Sequence, residues 1–295
     1  MKNNTILTMA LLAGLAVNAG SQEVIQVKGS DTMVNLAQRL AEVFMEKNPG
    51  AAVAVTGGGS GVGIAALIAD RVAVANSSRE IAEKEMVQAK ENGVVPVEVV
   101  LGIDGLCVIT SEAVGLKSLT MAQIGTIYRG EIKNWNEVGG PNLPVSLYGR
   151  QPSSGTYVFF QEHVMGKKDY SPKMKQMNGN AQIVEAVKAE KGGIGYVGVG
   201  YALDETGHVQ QGIKVLDVSK DAKSPVVSPL NAENVKSGRY PIARPLYQYL
   251  NGKPNAAVKS LIAFELSSEG QKIVEEMGFY AVSDKWIQKN KKAGF

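Results

Sequence analysis

Cysteine and histidine are nearly absent from this chain, and their scarcity removes much of the chemistry that residues can carry. Cys107 is the single cysteine, so no internal disulfide can form. It sits in an apolar run and reads as a buried core thiol rather than a nucleophile. The two histidines, His163 and His208, are far apart, lack metal-ligand spacing and read as surface residues. Without paired carboxylates near the polar turns described below, hydrolytic machinery is hard to assemble. An excess of either charge is missing too. The 31 basic and 28 acidic residues leave +3, spread along the chain, so nucleic acid is not a favoured partner. The densest basic run, Lys285, Lys289, Lys291 and Lys292, reads as a solvated tail rather than a docking patch. Internal repeats and low-complexity segments are not found beyond the N-terminus.

The N-terminus holds the one long apolar stretch. Lys2 precedes about a dozen mostly apolar residues, then Val17-Asn18-Ala19 as a small-residue cleavage site. Residues 1–19 are therefore expected to be a secretory signal, too short to span a bilayer. No cysteine stands at the cleavage site to take a lipid. The mature chain is expected to be exported, without membrane insertion, and free in a periplasm.

From residue 24 the pattern alternates between strand and helix. Residues 24–28, 51–56 and 72–76 read as strands; residues 32–47, 60–69 and 81–91 read as helices. Leu36, Leu40, Val43 and Phe44 share one helical face, and Pro49-Gly50 stops that helix. Such βαβαβα order implies a mostly parallel sheet covered by helices, with ligands at the carboxyl ends of the strands. Apolar strands at 97–101 and 106–110 have no full helix between them, which marks a crossing into a second lobe. That lobe is expected to hold a helix at 120–128, a strand at 145–148, helices after Ser154 and at 182–190, and a strand at 194–197. Pro241 and Pro245 bracket the approach to an extended segment at 246–250, read as the return crossing. The fold class is thus α/β with two lobes, each a mixed, mostly parallel sheet flanked by helices, joined by a two-crossing hinge. Lobe 1 takes residues 22–105 and 246–295, and lobe 2 takes 106–245. Two crossings make a cleft that can close.

Polar turns carry the remaining chemistry. Arg150-Gln-Pro-Ser-Ser-Gly-Thr156 ends a strand and opens a helix, gathering a guanidinium, two hydroxyls and free backbone N–H groups. A tetrahedral oxyanion needs such a set. Gly29-Ser-Asp-Thr32 and Gly57-Gly-Gly-Ser-Gly61 lie upstream, each also between strand and helix. Taken singly, the turns have plainer explanations. Ser30 and Thr32 can cap a helix whose dipole favours Asp31. The glycine run lacks the Lys-Ser/Thr of a nucleotide-phosphate loop, and Ser60 has no glycine two residues on to make a hydrolase elbow. Gly193-Ile-Gly-Tyr-Val-Gly198 spells a dinucleotide fingerprint, but it follows a helix and encodes a strand.

Taken in order, these turns resemble the phosphate-binding subunit of the bacterial phosphate ABC transporter, a two-lobe periplasmic binding protein. The matching runs are Val27-Lys-Gly-Ser-Asp-Thr32, Thr56-Gly-Gly-Gly-Ser-Gly61, Ala75-Asn-Ser-Ser-Arg79, Arg150 with Ser154-Gly-Thr156, and Gly193-Ile-Gly-Tyr196. Ile127-Tyr-Arg-Gly130, Asn134-Trp135 and Gly139-Gly140 are similar to the family's second-lobe signature, with Trp135 in a packing role. The resemblance spans essentially the whole mature chain. It implies capture of inorganic phosphate by lobe closure and delivery to permease subunits, by a monomer with no catalysis, cofactor or metal. The implied ligand groups are Ser30, Asp31 and Thr32, then Ser60, then Ser78, with Arg150, Ser154, Gly155 and Thr156 from the second lobe. Arg79 is either a second cation or a partner of Glu80 or Glu83.

One position departs from the family pattern. Many members place an aspartate where Ser78 stands, to accept the proton of a protonated phosphate and repel ionised sulfate. Asp31 occupies a first-turn position where some of those members carry threonine. The expectation is that the proton-accepting carboxylate has moved to the first turn. Two other readings stay open: a receptor for sulfate, molybdate or tungstate, and a secreted phosphoester hydrolase using Ser60 or Ser154.

Overall fold

The computed structural model describes residues 24–295, so the expected signal at 1–19 lies outside the described residues. Among the described residues, eleven strands form two sheets. The strands are β1 (Val24–Gly29), β2 (Ala52–Thr56), β3 (Val74–Ser77), β4 (Pro96–Gly105), β5 (Cys107–Ser111), β6 (Ser118–Thr120), β7 (Ser146–Arg150), β8 (Lys175–Met177), β9 (Gly193–Val197), β10 (Ile213–Ser219) and β11 (Ala243–Asn251). The α-helices are α1 (Val34–Lys47), α2 (Ser60–Ile68), α3 (Glu83–Glu91), α4 (Met121–Tyr128), α5 (Gly155–His163), α6 (Asn180–Ala189), α7 (Val199–Ala202), α8 (Ala232–Lys236), α9 (Ala256–Glu265), α10 (Ser268–Glu276) and α11 (Asp284–Lys292).

The first sheet has the order β2-β1-β3-β11-β4, and the second β6-β10-β5-β9-β7-β8. Strands β1 to β3 pair in parallel, as their βαβ connections require, and β7 pairs in parallel with β8 and β9. The antiparallel pairs belong to the strands that carry the chain between lobes, β4, β5 and β11, and to β10. The chain leaves the first sheet at Leu106, between β4 and β5, and returns at Ala243 rather than at 246. Pro245 lies inside β11 instead of bracketing it. It is tolerated because β3 joins β11 only from Tyr247 onward, so no ladder donor is lost on that side.

Helical periodicity produces the first lobe's core as expected. Leu36, Leu40, Val43 and Phe44 of α1 are buried, and Phe44 joins Ile25 and Val27 of β1, Val99, Leu250 and three residues of α9. Cys107 is fully buried in the core, where burial pushes its thiol well up from the ordinary value. Trp135 is buried as well, its indole N–H donating to Gly192 O at 3.0 Å, which is a packing role. The basic run is not a tail. Its lysines lie on the solvent side of α11, a helix anchored to β4 through Asn290. Gly193–Val197 is a buried strand, not a dinucleotide loop. Among the described residues no helix is long and apolar enough to cross a membrane.

Candidate functional site

The carboxyl ends of β1, β2 and β3 lie side by side, so the turns that follow them meet. Ser30 N donates to Asn76 O at 2.8 Å, and Gly59 N to Gly29 O at 2.9 Å. Glycine is required at this crossing. A Cβ at Gly63 would lie 2.4 Å from Lys28 O, and Gly29 has φ +141. Ser30 and Thr32 do not cap α1. That helix begins at Val34 with Met33 before it and no side-chain cap, which frees both hydroxyls. Ser30 Oγ is buried without a hydrogen-bond partner among the described residues. Asp31 Oδ1 accepts from Gly58 N at 2.7 Å, which ties the first turn to the second.

Arg150 arrives from the other lobe at the end of β7, fully buried. Its Nε donates to Met177 O at 3.3 Å, and its Nη2 to Asn178 O at 2.7 Å and Asp31 Oδ2 at 2.5 Å. Its Nη1 is buried and has no partner among the described residues. Behind it, Tyr196 OH accepts from Arg150 N at 3.1 Å and packs against Phe160 at 4.1 Å between centroids. Ser154 caps α5, its Oγ accepting from Thr156 N at 3.2 Å.

The two lobes are in contact around these groups. Gly61 N donates to Ser153 O at 3.0 Å across the cleft. Gly155 lies so close to the first lobe that a Cβ there would meet Ser60 Oγ at 2.3 Å and Ser78 Oγ at 2.9 Å. Thr156 Oγ1 is 2.8 Å from Thr32 Oγ1 and 3.4 Å from Ser78 Oγ, while Ser60 Oγ accepts from Ser78 N at 3.0 Å. The structure therefore brings together Ser30, Asp31, Thr32, Ser60, Ser78, Arg150, Ser154, Gly155 and Thr156.

Arg79 is arranged differently. Its guanidinium is committed to Glu85 by two contacts of 2.7 Å, with a further bond to Glu80 O. The partner is neither carboxylate expected from sequence. Glu85 is the third residue of α3, and its side chain folds back to accept from Ala82 N as well, so it stands where Arg79 passes. With the guanidinium beside it, the Glu85 carboxyl lies below its ordinary range despite partial burial. Arg79, Glu85, Phe159, His163 and Arg244 line an interlobe cleft of about 700 Å³. The buried constellation adjoins that cleft through Gly61 and Arg244.

Two buried residues escaped the sequence reading. Arg244, at the start of β11, donates from Nη2 to Thr156 Oγ1 at 3.0 Å and from Nη1 to Ser78 O at 2.9 Å. Asp104 on β4 pairs with it at 2.8 Å. A lone charge inside an apolar strand was the available signal at both positions.

Chemically, the site offers hydroxyl, guanidinium and backbone donors, with one carboxylate, Asp31, on Arg150 and Gly58 N. That suits an anion carrying several oxygens and one proton. His163 and His208 are exposed, and among the described residues no cluster of His, Cys, Asp and Glu could hold a metal.

A family model described as the PBP superfamily domain matches residues 16–269. The phosphate-binding protein PstS of Pseudomonas aeruginosa is 30% identical over 279 residues, covering 88% of this chain and 84% of the relative. The PstS of Borreliella burgdorferi is 29% identical, covering 96% and 99%. Among solved structures, a Clostridium perfringens protein with bound phosphate, described as a phosphate ABC transporter substrate-binding protein, superimposes with a TM-score of 0.78. It is 28% identical, with 88% of this chain and 100% of that one covered. An ABC-type phosphate transport receptor from Vibrio cholerae gives 0.69 at 26% identity, covering 87% and 99%.

Proposed function

Because the chain belongs to the PBP superfamily and, within it, to the family of the phosphate-binding protein PstS, we propose that it captures inorganic phosphate between its lobes and hands it to the permease of an ABC importer. One observation carries this reading. Arg150 Nη1 and Ser30 Oγ, from opposite lobes, are both buried without a hydrogen-bond partner among the described residues. Desolvated donors of this kind are costly unless a ligand takes them up. An oxyanion bridging Arg150, Ser154, Gly155 and Thr156 to Ser30, Thr32, Ser60 and Ser78 would pull both lobes together. Its differential affinity then favours the closed state.

Asp31 is the proton acceptor in this reading. Ser78 brings no carboxylate to the third turn, whereas Asp31 brings one beside Arg150. A protonated phosphate can donate to it; sulfate, fully ionised at neutral pH, cannot and is repelled. Arg79, held by Glu85, is left out of the ligand set. The protein acts as a binding monomer without turnover, exported by residues 1–19 and free in the periplasm.

Calorimetric titration with phosphate, sulfate and molybdate tests the ligand. One phosphate per chain with sulfate far weaker is the expected result; tighter sulfate or molybdate binding would overturn it. N-terminal sequencing of periplasmic protein tests the export reading.

A further inference from the structure

Arg244 is nearly as buried as Arg150, yet it is held in the opposite way. Its Nε and Nη2 donate to Asp104 Oδ2 at 3.0 and 2.8 Å, its Nη1 to Ser78 O at 2.9 Å, and its Nη2 also to Thr156 Oγ1 at 3.0 Å. Every side-chain nitrogen thus has a protein partner, which makes it a poor ligand for a guest. Its placement is unusual in another respect: it stands at the return crossing and touches both lobes. Ser78 is on the first lobe. Thr156 and the Phe159 ring, 5.1 Å from the guanidinium carbon, are on the second. Asp104 extends the link by accepting from Val199 N at 3.2 Å.

Resting on the phosphate reading above, we propose that Arg244 is a positioning residue that turns the site's hydroxyl protons toward the anion. Four hydroxyls run in a chain: Thr32 to Thr156 at 2.8 Å, Thr156 to Ser78 at 3.4 Å, and Ser78 to Ser60 at 3.4 Å. Each hydroxyl carries one proton and can accept as well as donate, so such a chain has no direction of its own. Pointed the wrong way, it presents lone pairs to an acceptor-rich guest. Donor-only groups fix the direction. Arg244 fills an acceptor site on Thr156, and the Ser78 N–H fills one on Ser60, so both hydroxyls keep their protons to give. With a serine in the third turn, no carboxylate is present there to set the direction from the other end.

An arginine is needed because three acceptors lie in different directions around its planar fork, which a lysine cannot serve at once. Asp104 supplies the counter-charge that keeps Arg244 on its own strand rather than on the ligand. Preorganisation of this kind adds affinity by removing reorientation at the moment of binding.

A double-mutant cycle titrated with inorganic phosphate tests the proposal, using Arg244→Lys, Thr156→Val and both together, with thermal unfolding to confirm folding. Arg244→Lys is expected to weaken phosphate binding about 10- to 100-fold, the scale of one charged hydrogen bond. In the Thr156→Val background it should cost no more than about twofold, because the hydroxyl it orients is already gone. A purely structural role would lower the melting temperature and leave the losses multiplying; that outcome, or wild-type binding by Arg244→Lys, overturns the proposal. Should Arg244→Lys fail to fold, neutron diffraction of the wild-type phosphate complex reads the same point. The Thr156 deuteron should face the phosphate or Thr32 with Arg244 still donating to Thr156; Arg244 withdrawn from Thr156 overturns it. If the wild type binds no phosphate, the ligand reading fails instead, and the same cycle is read with sulfate.

Discussion

Asp31 and Arg150 lie 119 positions apart in the chain and meet at 2.5 Å across the two lobes. The same carboxylate holds the glycine turn through Gly58 N, so one side chain joins two turns of the first lobe to the cation of the second. It also leaves Nη1 as the arginine's donor for a guest. Charge at Asp31 therefore holds Arg150 in place and, on the proposed phosphate reading, would also discriminate among anions.

Asp31→Asn removes both effects together, because the amide keeps the shape and loses the charge. Phosphate should bind more weakly and sulfate more tightly, with the preference falling about tenfold or more, the scale of one charged hydrogen bond. Competition titration of the two anions reads the ratio. An unchanged ratio would remove Asp31 from the selectivity mechanism.

Gly155→Ala probes lobe closure by geometry alone. The added methyl would lie 2.3 Å from Ser60 Oγ and 2.9 Å from Ser78 Oγ, both buried. Neither serine can swing aside without breaking the contacts around Ser78. The variant should fold, because α5 accepts alanine readily at its first position. It should bind phosphate at least about 100-fold more weakly, a clash of a few kcal/mol. Small-angle scattering should find it open at phosphate concentrations that close the wild type. Compaction equal to the wild type would show that the lobes meet differently.

How far the sequence reveals these features depends on range. The first lobe was legible because α1 buries Leu36, Leu40, Val43 and Phe44 at regular helical spacing, and because parallel strands put their following turns at one edge. That put the turns holding Ser30 and Ser60 at one edge from local pattern and topology, whereas Ser78 entered only through the family resemblance. Strand β10 was missed because Lys214 and Asp217 interrupt its apolar run, and β6 and β8, three residues each, are too short to show a period. Arg244 and Asp104 are 140 positions apart and each is surrounded by apolar residues, so no local spacing connects them. The partner of Arg79 was misread for a similar reason: Glu85 folds back across the helix start, where sequence distance suggests nearer carboxylates.

Asn290 closes the open edge of the first sheet. Its Oδ1 accepts from Val100 N and its Nδ2 donates to Val100 O, both at 2.9 Å, at the point where the β4–β11 register shifts. The amide thereby stands in for a neighbouring strand. Asn290→Ala leaves two backbone groups unpaired in a buried place and should cost about 2–4 kcal/mol in urea unfolding. Asn290→Asp should lose a similar share, since a carboxylate cannot donate to Val100 O. Phosphate affinity of the folded fraction should not change, as β4 is contacted far from the turns. A stability equal to wild type in both variants would mean that Tyr280, which bridges Ile103, covers the edge unaided.

Glu265 on α9 makes stability depend on pH. It is buried, accepts a hydrogen bond from Gln248, and has no partner for Oε2 among the described residues; burial pushes its carboxyl from 4.5 up to about 8. Between those values the folded state keeps a proton that the unfolded chain releases. Stability must therefore fall as pH rises through this window, by up to about 1.4 kcal/mol per pH unit, and level off above it. Glu265→Gln removes the titration while keeping the shape and the capacity to bond Gln248. Relative to wild type, the variant should gain little near pH 4 and progressively more toward about pH 8, read by urea unfolding across the range. A constant difference between the two proteins would show that Glu265 ionises in the folded state as it does in the unfolded chain. In that case Gln248 and the core around it would have to solvate a full charge.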